Sequence, residues 1–280
     1  VPGLLLLFRS WILLAVPLGM WLAATVLVRR EEDVLRREFG AAYDEYTRRV
    51  GALLPRAWHA YRSLWRPLPT GHVVDNVFAV RVQDVNLFII ARAGEAIAID
   101  AGYGERAVAE ELERLPLAAQ SVTHVFLTHT DRDHAGGLDA FPGAQVFLSK
   151  DEEQMIDGRT PRFAWLYHNP PIERPYRTLE DGEAVGFGSI RVRAIATPGH
   201  TPGSMAFLVD DRLLFTGDTL ALHDGRAQLF YKLFDMDVAS QKQSIRKLAR
   251  LAGVKLLCTG HTGCTKDVLA ALQGWRSGKA

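Results

Sequence analysis

The stretch His129-Thr130-Asp131-Arg132-Asp133-His134 decides how this chain is read. It follows a β-branched, apolar run, Ser121-Val122-Thr123-His124-Val125-Phe126-Leu127-Thr128, and is closed by Ala135-Gly136-Gly137. Four side chains able to bind a metal thus fall within six residues, at the end of an expected buried strand. Imidazoles and carboxylates suit zinc or iron, and a loop at a strand end can aim several of them inward. The plainer alternative is a polar turn that happens to hold two histidines.

Four more strand-end breaks weigh against that alternative. Ile97-Ala98-Ile99 ends at Asp100-Ala101-Gly102. His200 lies in Thr197-Pro198-Gly199-His200-Thr201-Pro202-Gly203-Ser204, Asp218 in Leu214-Phe215-Thr216-Gly217-Asp218-Thr219, and His261 in Cys258-Thr259-Gly260-His261-Thr262-Gly263. One histidine beside a glycine says little. Several such turns, each with His or Asp, make a metal site the leading reading.

At 280 residues the chain can bury a real core, as one large domain or two unequal parts. Its 33 basic and 32 acidic residues leave a formal charge of +1, so nothing in the balance predicts nucleic-acid binding. Two cysteines, Cys258 and Cys264, exclude a disulfide-built scaffold. They flank His261 by three residues on each side, which leaves a metal or redox role open. The expectation is a core thiol beside a turn.

From Trp11 to Val28 the chain reads WILLAVPLGMWLAATVLV, without a charge. A membrane helix needs about 20 apolar residues, and membrane helices tolerate the kink expected at Pro17 and Gly19. A signal peptide is the rival, but its apolar region is shorter and no small-residue cleavage site precedes Arg29-Arg30-Glu31-Glu32. Arg9 precedes the run, while Arg29, Arg30, Arg36 and Arg37 follow it. The excess of arginines after it predicts a single-pass membrane protein with the histidine cluster in the cytoplasm.

Residues 29–66 read as an amphipathic linker, in which Val34, Leu35, Phe39, Tyr43 and Tyr46 recur at helical intervals. Arg56 to Arg66 reads as a basic, aromatic helix, suited either to a membrane surface or to packing on the next domain. Pro67, Pro69 and Gly71 mark a boundary, giving a membrane and linker part over 1–66 and a second domain over 67–280. There, short β-rich runs alternate with helical ones at Glu105 to Arg114, Val238 to Leu251 and Lys266 to Trp275. Two strand-rich halves, each ending in helices, predict sheets packed face to face with helices outside.

Two resemblances follow from these residues. Arg30-Glu31-Glu32, Phe39-Gly40-Ala41-Ala42-Tyr43-Asp44-Glu45-Tyr46 and Leu54-Pro55 make residues 1–55 similar to the C-terminal end of isoprenylcysteine carboxyl and phospholipid methyltransferases. That family also needs earlier membrane helices and a histidine-bearing cofactor segment, so the resemblance implies a remnant or a piece of a fusion, without methyl transfer by this chain alone. Residues 72–272 resemble the metallo-β-lactamase superfamily. The match comprises Val85-Asn86, Asp100, the His129 to His134 cluster with Gly136-Gly137, and the turns of His200, Asp218 and His261, in order and spacing. It implies an α/β fold, an αβ/βα sandwich of two mixed sheets with outer helices, here preceded by the transmembrane helix.

Carried over residue by residue, that resemblance gives one metal His129, Asp131 and His200, and a second Asp133, His134 and His261. Asp218 would bridge them and Asp100 would orient neighbouring ligands. Most hydrolases of the superfamily have histidine where this chain has Asp131; flavodiiron proteins carry an acidic residue there. The cofactor expected is zinc, two ions or one, with iron as the alternative. The activity implied is hydrolysis of an ester, lactone, thioester or phosphoester by metal-activated water, with Asp133 orienting the water or taking a proton. The alternatives are an iron-dependent sulfur dioxygenase or other redox enzyme of the same superfamily, and a degenerate, membrane-tethered interaction module. Pocket walls are expected from residues 157–178 and Leu220 to Asp237, whose Leu229, Phe230, Tyr231, Leu233 and Phe234 suit a small, hydrophobic substrate.

Overall fold

In the computed structural model, residues 34–40, 43, 65–92, 94–116, 121–162 and 167–277 are described. The chain divides into Val1–Leu64 and Trp65–Ala280. In the first unit, residues 34–40 are helical and Val34, Leu35 and Phe39 are exposed. The expected membrane helix over 11–28 and the Arg30-Glu31-Glu32 motif lie outside the described residues. Of the helix expected over 56–66 only Trp65 and Arg66 are described, and neither is helical. Among the described residues no helix is long and apolar enough to cross a membrane.

The second unit is built on two sheets. The first keeps chain order: β1 (Gly71–Val74), β2 (Val77–Val82), β3 (Val85–Arg92), β4 (Glu95–Ile99), β5 (Val122–Phe126), β6 (Gln145–Ser149) and β7 (Tyr176–Leu179). Neighbours are antiparallel from β1 to β4 and parallel from β4 to β7. The second contains β8 (Ala184–Phe187), β9 (Ile190–Ala196), β10 (Met205–Val209), β11 (Leu213–Phe215), β14 (Leu256–Thr259) and β15 (Gly263–Thr265), in the order β15-β14-β11-β10-β9-β8. Only its β11–β14 pair is parallel. A separate ribbon pairs β12 (Ala221–His223) with β13 (Arg226–Gln228).

Strands that read as continuous apolar runs are buried on both faces, because side chains alternate across a sheet and both sides are covered. On β3, Leu87 and Ile89 pack outward with Val108 and Leu112 of α1 (Glu105–Leu112). Phe88 and Ile90 face the opposite sheet instead. On β10, Met205, Phe207 and Val209 join that inner layer, while Ala206 and Leu208 meet Ile245 and Leu248 of α4 (Val238–Ala249). Between α1 and α4 lie α2 (Arg132–Ala135) and α3 (Glu153–Ile156). The predicted face-to-face sandwich of mixed sheets with outer helices is therefore the fold.

The helix expected over Lys266 to Trp275 is two short turns, α5 (Val268–Ala271) and α6 (Gln273–Arg276), broken at Leu272. Phe207 is wholly buried between the sheets, 5.3 Å from the Phe126 ring. Phe207→Ala removes that inner-layer ring, and urea unfolding should show a loss of about 3–5 kcal/mol.

Candidate metal centre

All the site residues lie at strand ends along one edge of the sandwich. β4 and β5 run parallel and end in Asp100 and the His129 loop. In the other sheet β9, β11 and β14 share a direction, since β10 is antiparallel to both β9 and β11 and β14 is parallel to β11. Their ends carry His200, Asp218 and His261. The Met205 amide donates to the Thr128 carbonyl at 2.7 Å, joining the two sheets at that edge.

Two donor groups result. His129, His200 and Asp218 offer atoms within 4.8 Å of one another, as do Asp133, His134 and His261. Asp218 stands between them: its Oδ1 is 3.4 Å from His134 Nε2, and its Oδ2 is 3.6 Å from His200 Nε2 and 3.3 Å from His261 Nε2. Asp133 Oδ2 lies 3.3 Å from His261 Nε2 and 3.7 Å from His134 Nε2.

Each imidazole is held from behind. His134 Nδ1 donates to Asp100 Oδ2 at 2.9 Å, His200 Nδ1 to Asp235 Oδ1 at 3.2 Å, and His261 Nδ1 to the Asp84 carbonyl at 2.6 Å. Thr128 uses its hydroxyl proton on Asp100, so His129 Nδ1, 3.0 Å away, donates to it. With Nδ1 donating behind, every ring turns Nε2 toward the pocket, and that is the atom a metal would take. His129 Nε2 and Asp218 Oδ1 are buried without a hydrogen-bond partner, a costly arrangement that a cation would relieve. The donor set therefore fits a metal, and imidazole with carboxylate suits zinc or iron alike.

The backbone makes room for this packing. Asp100 takes a left-handed φ of 65°, a strained conformation that persists where the surroundings fix it. At Gly260 a Cβ would come 2.6 Å from Asp218 Oδ1 and 2.8 Å from His134 Cε1, so only glycine fits. Glu152, fully buried, accepts from the Thr130 amide and hydroxyl and from the Thr201 hydroxyl and Gly203 amide, tying the His129 loop to the His200 turn. Phe230 and Trp65 cover the outer side: Phe230 packs 5.2 Å from His200 and 5.5 Å from His261, and Trp65 lies 4.4 Å from His261.

Asp131 reaches the first group, with Oδ2 3.6 Å from His129 Nε2 and 3.3 Å from His200 Nε2. It is also gripped from the other side, since Arg162 Nε donates to both its oxygens at 2.9 and 2.8 Å. Asn169 Nδ2 adds a bond to Oδ1 at 3.0 Å. Sequence reasoning places Arg162, Asn169 and Asp235 only in pocket-wall segments, and it misses Thr128 and Asp84. Thr128 beside His129 was the only one with a local signal. Cys258 and Cys264 stand opposite each other on β14 and β15 and are joined as a disulfide, which corrects the core-thiol expectation.

Charge is concentrated here. Burial alone would lower the histidine pKa values, but the carboxylates outweigh it. His261 is raised to about 10 by Asp218 and Asp133, and His200 to about 9 by Asp131, Asp235 and Asp218. His134 moves the same way, under Asp218, Asp100 and Asp133. Burial would raise Asp218, yet His261 and His134 hold it well below the usual carboxylate range. His200 Nε2 also meets Arg162 Nη2 at 3.0 Å: a neutral ring accepts there, whereas a protonated one donates to Asp131.

In the metal-free chain these raised histidines stabilise the fold fully below the usual 6.5, and the contribution fades as pH climbs through about 9 and 10. A metal must displace the same protons. Zinc titration at pH 7 in buffers of differing ionisation enthalpy should therefore reveal proton release. Apparent affinity should climb by about tenfold per pH unit for each proton displaced, levelling above about 10. A flat profile between pH 6 and 9 would mean that the rings bind metal without losing protons.

A family model described as the metallo-beta-lactamase superfamily matches residues 80–261. A hydroxyacylglutathione hydrolase of Brucella anthropi is 37% identical over 142 residues, 49% of this chain and 46% of that protein. An atrochrysone carboxyl ACP thioesterase of Pseudocercospora fijiensis is 28% identical over 184 residues, 65% of this chain and 50% of its own length. The chain thus spans about half the length of these curated relatives. Among solved structures, a B3 metallo-beta-lactamase with an active site glutamic acid superimposes with a TM-score of 0.60 at 19% identity, over 79% of this chain and 92% of the other. The methyltransferase-like segment lies outside the matched region. With well over half of its length inside the family match, from β2 to the His261 turn, the chain belongs to the metallo-beta-lactamase superfamily.

Proposed function

We propose that the chain is a metal-dependent hydrolase acting on an acyl substrate, a thioester first among the ester-like bonds open to such a site. The observation that carries this reading is Asp218, set between two histidine groups with a buried oxygen and His129 Nε2 both lacking partners. The thioester preference rests on relatives named for hydroxyacylglutathione and acyl-carrier-protein thioester hydrolysis, each matched over about half its length. His129, His200 and Asp218 would hold one metal; Asp133, His134 and His261, with Asp218, another. When bound, the metal supplies Lewis acidity and lowers the pKa of water.

The chain's own residues account for the rest. Asp100, Asp235, Thr128 and the Asp84 carbonyl keep the imidazole lone pairs aimed inward. Asp133 is the most exposed of the site carboxylates, with 32% of its side chain accessible, and it would orient the attacking water and take its proton. Water adds to the acyl carbon, the carbon–sulfur bond breaks, and the thiol leaves with a proton. Phe230 shields the histidines on one side, and the exposed Leu233 and Met236 on the same loop offer an apolar rim for the acyl group.

Purified chain loaded separately with zinc, iron or manganese, and assayed on thioester, lactone, phosphodiester and β-lactam substrates, tests this. Hydrolysis should vanish on chelation, return with metal, and fall by at least about 100-fold in Asp218→Ala. Oxygen uptake with iron alone would point to redox chemistry instead. Silence in every metal form would leave a binding module.

For the N-terminal segment we propose a membrane anchor with the metal domain on the cytoplasmic side. Its support is the uncharged run Trp11 to Val28 and the arginines after it. The Cys258–Cys264 bridge argues the other way, because disulfides persist mainly in oxidising compartments. Protein retained in membranes through an alkaline carbonate wash, with a C-terminal reporter active only inside, is the expected result. A reporter active only outside would reverse the orientation.

A further inference from the structure

Arg162 is a charged side chain buried inside the first donor group. Its side chain is 2% exposed, and its guanidinium offers a rigid fork of donors with no acceptor. Three features define its position. Nε donates to both oxygens of Asp131, at 2.9 and 2.8 Å. Nη2 donates to the Phe234 carbonyl at 2.6 Å and lies 3.0 Å from His200 Nε2. Asn169 holds Asp131 Oδ1 from another direction, at 3.0 Å.

These contacts take up the atoms a first metal would use. A neutral imidazole has one lone pair outside its π system, and on His200 that pair is on Nε2, because Nδ1 donates to Asp235. Whether Nε2 accepts from Nη2 of Arg162 or carries a proton shared with Asp131 Oδ2, that position is already taken and an ion must displace its occupant. Asp131 Oδ2, the oxygen facing His129 and His200, is likewise bound to Nε. An arginine and a divalent ion within one small pocket also repel each other. The second group has no such occupant: among the described residues, the side-chain ion pairs and hydrogen bonds of Asp133, His134 and His261 run only to one another, to Asp218 and to the Nδ1 partners behind the rings.

We infer that Arg162 is the resident cation of the first pocket, a positioning residue that engages Asp131 and His200 so that the chain binds one metal tightly, at Asp133, His134, His261 and Asp218, and a second only when the guanidinium is displaced. This rests on the metal-dependent reading above. It makes Asp131 a partner of Arg162 rather than a ligand. It also separates the two pockets in affinity although both keep their histidines.

The test is a competition titration of the metal-stripped full chain with zinc against a chromophoric chelator, in the parent, Arg162→Gln and Arg162→Lys, with circular dichroism melts to confirm folding. The parent should take up one equivalent tightly and a second at least about tenfold more weakly. Arg162→Gln should strengthen the second equivalent by about tenfold or more while leaving the first unchanged. Arg162→Lys keeps the charge but loses the fork, so it should strengthen the second equivalent less. Two equally tight equivalents in the parent overturn the inference, and that measurement decides even if a variant fails to fold. A weaker second equivalent in Arg162→Gln also overturns it, because the arginine would then be supporting Asp131 as a ligand. Failure of the parent to bind any zinc tightly is a different result: it removes the metal-dependent reading, and this inference with it.

Discussion

The site depends on one carboxylate being surrounded by imidazoles. Asp218 has 4% of its side chain exposed and lies within 3.6 Å of His134, His200 and His261. An isolated buried carboxylate would be driven to neutralise. Here the surrounding rings hold it ionised and are themselves raised in pKa. Those rings come from both sheets, so the charge balance at Asp218 requires the two halves of the sandwich to meet in one register. The Gly260 turn matters for the same reason, since a side chain there would occupy the space of the carboxylate.

Around this centre the division of labour is spatial. The inner layer of Phe88, Phe126, Phe207 and Phe215 fixes the distance between sheets without polar atoms. The strand ends then carry every residue of the two donor groups, where backbone irregularity costs least. A rigid apolar middle with functional turns at its edge explains why a site made from five separate turns keeps interatomic distances of 3 to 4 Å.

Much of this was legible in the sequence because strand ends and glycine-bounded turns have local signatures. His129, Asp133, His134, His200, Asp218 and His261 are all placed by the turns that hold them, and β4 and β5 by the apolar runs that lead into those turns. Three-residue strands such as β12, β13 and β15 were not, since periodicity needs more residues to show itself. The grip of Arg162 on Asp131 joins positions 31 residues apart through a loop with no pattern, and only the folded chain brings them together. The cysteine pairing escapes the sequence for a related reason. Its six-residue separation becomes a direct cross-strand pairing only once the His261 turn is known to be a hairpin.

Glu152 has a consequence for how the protein is assembled. Its carboxylate knots the Thr130 and Thr201 segments together with four hydrogen bonds, all from protein atoms. Burial raises its pKa, against the pull of His129 and those bonds. The loops bearing His129 and His200 are thus tethered by the polypeptide itself. A small zinc-built domain needs its ion in order to fold. In this chain the tie between the two loops is made by protein atoms alone, so their mutual position does not depend on an ion to bridge them.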